Sequence, residues 1–482
     1  MAVPTQLGVQ DAQFLHADTE SSPANVAVIL IFGPPQSGHE SPDLDALTEH
    51  VRSRLHTSAV FTRRLRRVPL NLDYPYWVDD DAFDVDFHLQ YSRLPKPGTW
   101  AQFRRFVSRY HNKPLDMHRP LWEVCLVDGL DSIDMVPKGG FALIVKAHHA
   151  AIDGTSGMHF FSGLLDTDAA GTPSVDSHSN SPHAGPAPAY REVLARALLN
   201  NVRSPVRLME SIVRAMPAVL PMLTARLTGR GQASRRVPDS RFNRAVSPVK
   251  QFDVTWFGLD DFKTIKNSVT GATINDVVLA VCGGALRRYL SRHKELPEES
   301  LVAWVPVNAR SPGADADGGG NAISAMTVPL FTELGDPRER LVAISALTRA
   351  AKQEASRRPA KALIAVASQL PAYTMALTAR LLSTANSRLR LCNAMITNVP
   401  GPQQPLYLRG SKCLYQFGLT PIGDGLGLVI GTPSYNGQIA FTVMSTPKIL
   451  PDIEMFMRCM RRSFEALHTA CVRSGMPRKV RR

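Results

Sequence analysis

The chain has 482 residues, 44% of them hydrophobic and 20% charged, which is enough apolar length for two domains with separate cores. Its formal charge is +13, and six scattered cysteines (Cys125, Cys282, Cys392, Cys413, Cys459 and Cys471) form no C-x-x-C pair, supporting neither a disulfide framework nor a zinc site. Met1-Ala2-Val3-Pro4-Thr5-Gln6 lacks the basic-then-apolar order of a secretory signal. The best membrane candidate, 215–227, is interrupted by Pro217, Pro221 and Arg226, so the expectation is a soluble or peripheral cytoplasmic protein.

Taken in chain order, residues 26–32 read as a buried strand, 44–55 as a helix, 100–112 as a helix and 122–127 as a second strand. Residues 141–145 are an apolar, β-branched run of strand length. After them 155–166 carries Met158, Phe161, Leu164 and Leu165 at helical spacing. Residues 168–189, rich in Pro, Ser, Gly, Ala and His, read as a flexible linker. The following window to 245 holds eleven arginines (191, 196, 203, 207, 214, 226, 230, 235, 236, 241 and 244) against Glu192, Glu210 and Asp239, with apolar residues interleaved. Two readings stay open for it: a basic amphipathic helix on anionic lipid, or a solvated helix face packed between domains. With almost no aromatic residues and no recognisable module there, nucleic acid is not an expected partner.

Beyond 246, residues 252–257 read as a strand and 273–288 as a helix with Thr273 as its N-cap, Asp276 in the first turn and Arg287 and Arg288 in the last. Residues 301–307 read as a strand, 337–356 as a helix, and 426–430 with 439–443 as a hairpin around Asn436-Gly437. The expected organisation is 1–167, a 168–245 connection, and 246–482, with mixed α/β character in both halves.

The chemistry concentrates at Ala147-His148-His149-Ala150-Ala151-Ile152-Asp153-Gly154, where a strand ends and a turn feeds a helix. Imidazole is the natural general base near neutral pH. Neighbouring side chains on a strand point oppositely, so His149 is assigned as the base, facing a cavity, and His148 as its support. Asp153 either polarises the imidazole or anchors the turn; a tight Asp-Gly turn absorbs its carboxylate locally, which favours the structural, orienting role. Gly154 supplies a backbone conformation that other residues avoid. The pair lacks a third ligand at helical spacing, so no metal is expected. No G-x-S-x-G elbow is present to carry a nucleophilic serine. Two core histidines with no chemical role are the remaining reading.

At these residues the chain resembles the H-H-x-x-x-D-G acyltransferase superfamily. Along nearly its whole length it is similar to the bacterial wax ester synthase/diacylglycerol acyltransferase family. Asp11-Ala12-Gln13-Phe14-Leu15 is similar to that family's opening D-A-x-F-L, and Pro120-Leu121-Trp122-Glu123 to its P-L-W block. His148 through Gly157 matches its catalytic segment, and Asn275-Asp276-Val277-Val278-Leu279-Ala280 its N-D-V-V-L-A block. Gly320-Asn321 with Ser324, and Asn398-Val399-Pro400-Gly401-Pro402 preceded by Thr397, resemble two further blocks.

The resemblance implies an α/β fold of two chloramphenicol-acetyltransferase-like domains, each a mixed sheet flanked by helices, with the active site between them. It implies acyl-CoA as donor substrate, no cofactor, and diacylglycerol or a long-chain fatty alcohol as acceptor, at a membrane or lipid-droplet surface. His149 would take the acceptor's proton and return it to CoA without an acyl-enzyme. Asn275 is then the candidate oxyanion donor, with a contact at a helix N-terminus as its other role. Pro120, Leu121, Trp122 and Asp276 are the candidate substrate contacts, the first three lining an acyl tunnel or packing the core. The alternatives are a carrier-protein-dependent acyltransferase of polyketide or peptide lipid biosynthesis, and a catalytically weak lipid-surface binding protein.

Overall fold

The computed structural model describes residues 5–19, 21–35, 42–152, 156–173, 189–227, 237–308, 323–355 and 390–474. The strands are β1 (Asn25–Phe32), β2 (Arg63–Arg66), β3 (Tyr76–Asp79), β4 (Leu89–Arg93), β5 (Trp122–Asp128), β6 (Phe141–His148), β7 (Gln251–Gly258) and β8 (Val302–Asn308). They continue with β9 (Ile323–Pro329), β10 (Ala394–Val399), β11 (Tyr407–Leu408), β12 (Ser411–Leu419), β13 (Val429–Tyr435) and β14 (Gln438–Ser445). The helices are α1 (Val9–Ala17), α2 (Leu44–Arg54), α3 (Trp100–Asn112), α4 (Ser156–Gly163), α5 (Tyr190–Leu227), α6 (Leu259–Asn267), α7 (Ile274–Arg292), α8 (Pro337–Ala355) and α9 (Ile453–Ser474).

Two six-stranded sheets organise the molecule, in the orders β11-β12-β1-β6-β5-β4 and β7-β14-β13-β10-β8-β9. Both are mixed: β4 and β5 run parallel in the first, β8, β10 and β13 in the second, and the remaining neighbours are antiparallel. The α/β architecture of mixed sheets flanked by helices is the expected one. All eight residues of β6 are buried, which explains its nearly unbroken apolar run. Leu143, Val145 and Ala147 face one core with Trp122, Phe61 and Phe160. Ala142 and Ile144 face another that also takes in Phe252, Val254 and Met444 of the second sheet.

Strands β11 and β12 lie in the 246–482 stretch of the chain, yet they extend the first sheet. β12 pairs antiparallel with β1 from Ala27 opposite Leu419 to Phe32 opposite Cys413. The hydrogen-bonded sheet therefore does not follow the division of the chain. Around β12 an aromatic junction joins the halves: Phe417 lies 5.7 Å from Phe252 and 6.3 Å from Trp100, and Tyr415 5.0 Å from Trp256. Polar contacts reinforce it, with Trp100 Nε1 donating to Asp253 at 3.0 Å and Arg104 bridging Asp253 and Glu454.

Local chemistry sets the helix ends. Thr99 and Gln102 form a capping box on α3, and Thr273 and Asp276 one on α7. Helix α7 runs one turn past the expected end, so Arg287 and Arg288 are interior, and Arg287 donates to the Thr332 carbonyl at 2.7 Å instead of capping its own helix. The expected linker falls mostly on 174–188, outside the described residues. The basic window begins as α5, whose Val193 and Ala197 bury against Val68, Tyr76 and Val78. All six thiols are free and buried.

Candidate active site

Three neighbouring segments hold the histidine pair. His148 is the last residue of β6 and pairs with Asn25 of β1, while its N–H donates to the Leu121 carbonyl at 2.9 Å. The His149 N–H donates to the Ala24 carbonyl at 2.8 Å, and His149–Ala151 then forms a single 3₁₀ turn. Backbone hydrogen bonds thus fix both α-carbons from either side before any side chain contributes.

His148 is 1% exposed and caps that turn, its Nδ1 accepting from the Ala150 N–H at 3.1 Å. An accepting Nδ1 puts the ring proton of the neutral tautomer on Nε2, which lies 3.5 Å from Asp18 Oδ2. Asp18 is itself oriented, because its Oδ1 accepts from the Ala24 N–H at 2.9 Å. The His148 ring is thus hydrogen-bonded through Nδ1, with the Asp18 carboxylate beside its Nε2.

His149 is different. Its ring stacks on Phe14 of α1, with centroids 3.7 Å apart and planes 15° from parallel. Its buried Nδ1 has no hydrogen-bond partner among the described residues. Burial pushes the imidazole down to about 4; its own carbonyl favours the charged ring and His148 opposes it, and burial outweighs both. His149 is therefore neutral at physiological pH, the form a general base requires.

Beneath His148, on the same face of β6, Lys146 is fully buried. Its Nζ lies 2.8 Å from Glu123 and donates to the carbonyls of Tyr110 and Lys113 at 3.2 and 3.1 Å. Asn25 Nδ2 donates to the His111 and Lys113 carbonyls, each at 3.0 Å, and His111 Nε2 donates back to the Asn25 carbonyl at 2.9 Å. A cation and an amide thus cap the C-terminal carbonyls of α3, where the helix dipole is negative. This pins α3 to the β1–β6 pair beside the site. Burial first, then Lys146 and Lys250, holds His111 down at about 4.

The remaining expected residues divide. Asp153 and Gly154 lie outside the described residues, as do Gly320 and Asn321. Asn275 is half-buried in the first turn of α7, and capping there is done by Thr273 and Asp276, so its amide is not the cap. Asp276 is drawn into helix packing: its Oδ2 accepts from the Thr273 N–H and hydroxyl, each at 2.8 Å, and its Oδ1 from Thr348 at 2.7 Å. At 1% exposure, one of its oxygens caps α7 and the other joins α7 to α8. Pro120, Leu121 and Trp122 are buried in the core. Trp122 stacks on His88 at 4.3 Å and donates from Nε1 to the Phe61 carbonyl at 3.0 Å, so the tripeptide serves the site through the Leu121 carbonyl that holds His148. In the Asn398–Pro402 block, a Cβ on Gly401 would collide with the Ser434 carbonyl, which explains the glycine. Sequence reasoning assigned no role to Phe14 or Asp18. Phe14 stood inside a recognised block, whereas Asp18 carried no signal.

Residues 7–278 match the family described as wax ester synthase/diacylglycerol acyltransferase catalytic domain, and 319–468 match the WS/DGAT C-terminal domain. A protein of Mycobacterium tuberculosis named probable diacylglycerol O-acyltransferase is 32% identical over 463 residues, covering 95% of this chain and 98% of that one. The solved wax ester synthase/diacylglycerol acyltransferase of Marinobacter aquaeolei is 25% identical with a TM-score of 0.66, covering 97% of this chain and all of that one. The starter condensation domain of rhizomide synthetase shares the fold at 12% identity and a TM-score of 0.55, covering 98% and 95% of the two chains.

Proposed function

Since the chain belongs to the wax ester synthase/diacylglycerol acyltransferase family and is an acyltransferase, we propose that it moves a long-chain acyl group from acyl-CoA to the hydroxyl of diacylglycerol or a long-chain fatty alcohol. The observation that carries this reading is the neutral, half-buried His149 ring stacked on Phe14 at the end of β6, inside the catalytic-domain match.

In this reaction the acceptor oxygen attacks the thioester carbonyl carbon as its proton passes to His149. The tetrahedral oxyanion collapses, the C–S bond breaks, and the imidazolium returns the proton to the departing CoA sulfur. Burial makes that imidazolium a high-energy, short-lived acid, which favours the return step. His148, held by Ala150 and Asp18, keeps the turn in register, and Asn275 is the candidate donor to the oxyanion. No enzyme nucleophile enters the scheme. Burial pushes Cys125 and Cys413 up to about 12 and Cys392 to about 11, far from thiolates at neutral pH.

Contact with a lipid surface would go through α5. Beyond its docked start, Val202, Val206, Met209, Val213 and Met216 repeat at spacings of four and three and are 75, 61, 61, 62 and 44% exposed. Arg203, Arg207 and Arg214 flank that stripe, the pattern of a helix lying in an anionic interface. No helix among the described residues is long and apolar enough to cross a membrane.

The deciding experiment is CoA-thiol release by the purified chain with palmitoyl-CoA and either dioleoylglycerol or hexadecanol. Ester formation with one or both acceptors is expected; background release with both overturns the reading. Preference for an acyl carrier protein thioester over acyl-CoA would move the donor assignment.

A further inference from the structure

The C-terminal half of α7 meets the start of α8 and the middle of α9 around a cavity of about 530 Å³. Arg287, Arg288, Arg292, Arg340 and Arg462 line it, and among the described residues no carboxylate does. Among the described residues none of the five is in an ion pair. The cavity belongs to the helical layer over the second sheet; no residue lining it comes from the first sheet or the histidine turn.

The cluster is held in place. Arg340 is 3% exposed, its Nε donating to the Phe331 carbonyl at 3.2 Å and its Nη2 to that of Leu334. Arg287 is tied to the same loop through the carbonyls of Thr332 and Glu333, at 2.7 and 3.2 Å. Gly284 makes room for the arrangement: a Cβ there would collide with Ser463 of α9 and sit 2.9 Å from Arg340 Nη1. Burial, then the charges of Arg287 and Arg288, pushes Arg340 down to about 10, so it stays charged at neutral pH. Asp336 and Glu333 oppose that shift from exposed positions at the margin. Asp336 is already engaged, accepting from the Arg338 and Glu339 N–H groups at 2.8 Å each.

A buried guanidinium with like charges around it and no carboxylate partner is costly to keep unless an anion completes it. Two carbonyl-anchored guanidinium forks, with three exposed ones at the mouth, match the tetrahedral, multiply charged oxygens of a phosphate group. We propose that this α7–α8–α9 pocket is a binding site for a phosphate-bearing ligand, separate from the histidine pair. The phosphate belongs either to a soluble molecule or to a lipid headgroup presented at a surface.

The test uses the full chain and the Arg288→Gln/Arg462→Gln double variant, both of whose sites are exposed, with circular dichroism melting to verify that the variant is folded. Calorimetric titration with inorganic pyrophosphate probes the soluble source. Flotation with phosphatidylcholine vesicles carrying phosphatidate probes the lipid source. Pyrophosphate binding weakened at least about tenfold in the variant supports a soluble phosphate ligand. Flotation on phosphatidate vesicles that falls by a similar factor in the variant, without pyrophosphate binding, supports a headgroup; α5 keeps its own arginines in both proteins, so only the lost part counts. No binding of either probe, or binding equal in both proteins, overturns the proposal.

Discussion

Phe14 and His149 lie face to face, 3.7 Å between ring centroids, although they come from opposite ends of the first unit. Helix α1 thereby covers one face of the imidazole, and burial lowers the basicity of the ring. In the proposed reaction the pH range of proton transfer would then depend on a residue with no polar atom. Phe14→Ala should readmit water and raise the His149 pKa from about 4 toward the ordinary 6.5, moving the acidic limb of kcat/KM upward, while Phe14→Leu should move it less. pH profiles of CoA release for the three proteins decide this; identical limbs would remove Phe14 from the account.

The two histidines should separate cleanly in kinetics. His149→Ala is expected to lower turnover by about 10²–10⁴, the usual contribution of a general base. His148→Ala should leave a measurable remainder, because backbone hydrogen bonds to Leu121 and Ala24 still hold the turn. Single-turnover CoA release from both variants is the measurement, and the opposite ranking would exchange their roles.

Acid should unfold the protein through His111. Its folded pKa of about 4 lies below the unfolded value near 6.5, so the unfolded chain binds the extra proton between those limits. The stability is complete above about pH 6.5 and is lost as pH falls toward 4, by roughly 3 kcal/mol for this group. Urea midpoints across that range should fall with pH, and His111→Gln should flatten the slope. An unchanged slope in the variant would assign the acid sensitivity elsewhere.

Lys146→Met should be the most damaging change near the site outside the histidines. It strands the Glu123 carboxylate and uncaps the Tyr110 and Lys113 carbonyls, at about 3–5 kcal/mol by analogy with other broken buried pairs. Replacing both partners, with Glu123→Leu added, should recover part of the loss. Thermal melts of the single and double variants measure it, and additive losses would show that the two residues act independently.

Much of this was legible in the chain because it is written in local pattern. The 100–112 helix has the expected bounds, and β6 shows its burial in an apolar run. The strand-to-turn setting of His148 and His149 followed from the same periodicity. What escaped depends on tertiary pairing. Strand β12 alternates too weakly to stand out, and nothing local names β1 as its partner. Asp18 reaches His148 only because the Ala24 N–H orients its carboxylate. Asp276 shows both cases: its capping box with Thr273 is local and legible, whereas its bond to Thr348 is invisible without α8.

The placement of β12 against β1 also bears on how the molecule is made. β1 is synthesised well before the strand that covers its outer edge, which begins at Ser411. Until β12 is made, Ala27 to Phe32 would present an unpaired backbone edge beside apolar side chains, the template on which neighbouring chains aggregate. Fragments ending before 411 should therefore precipitate even though they contain the whole histidine turn. Overproduction should reward slower translation and chaperones that shield nascent strand edges.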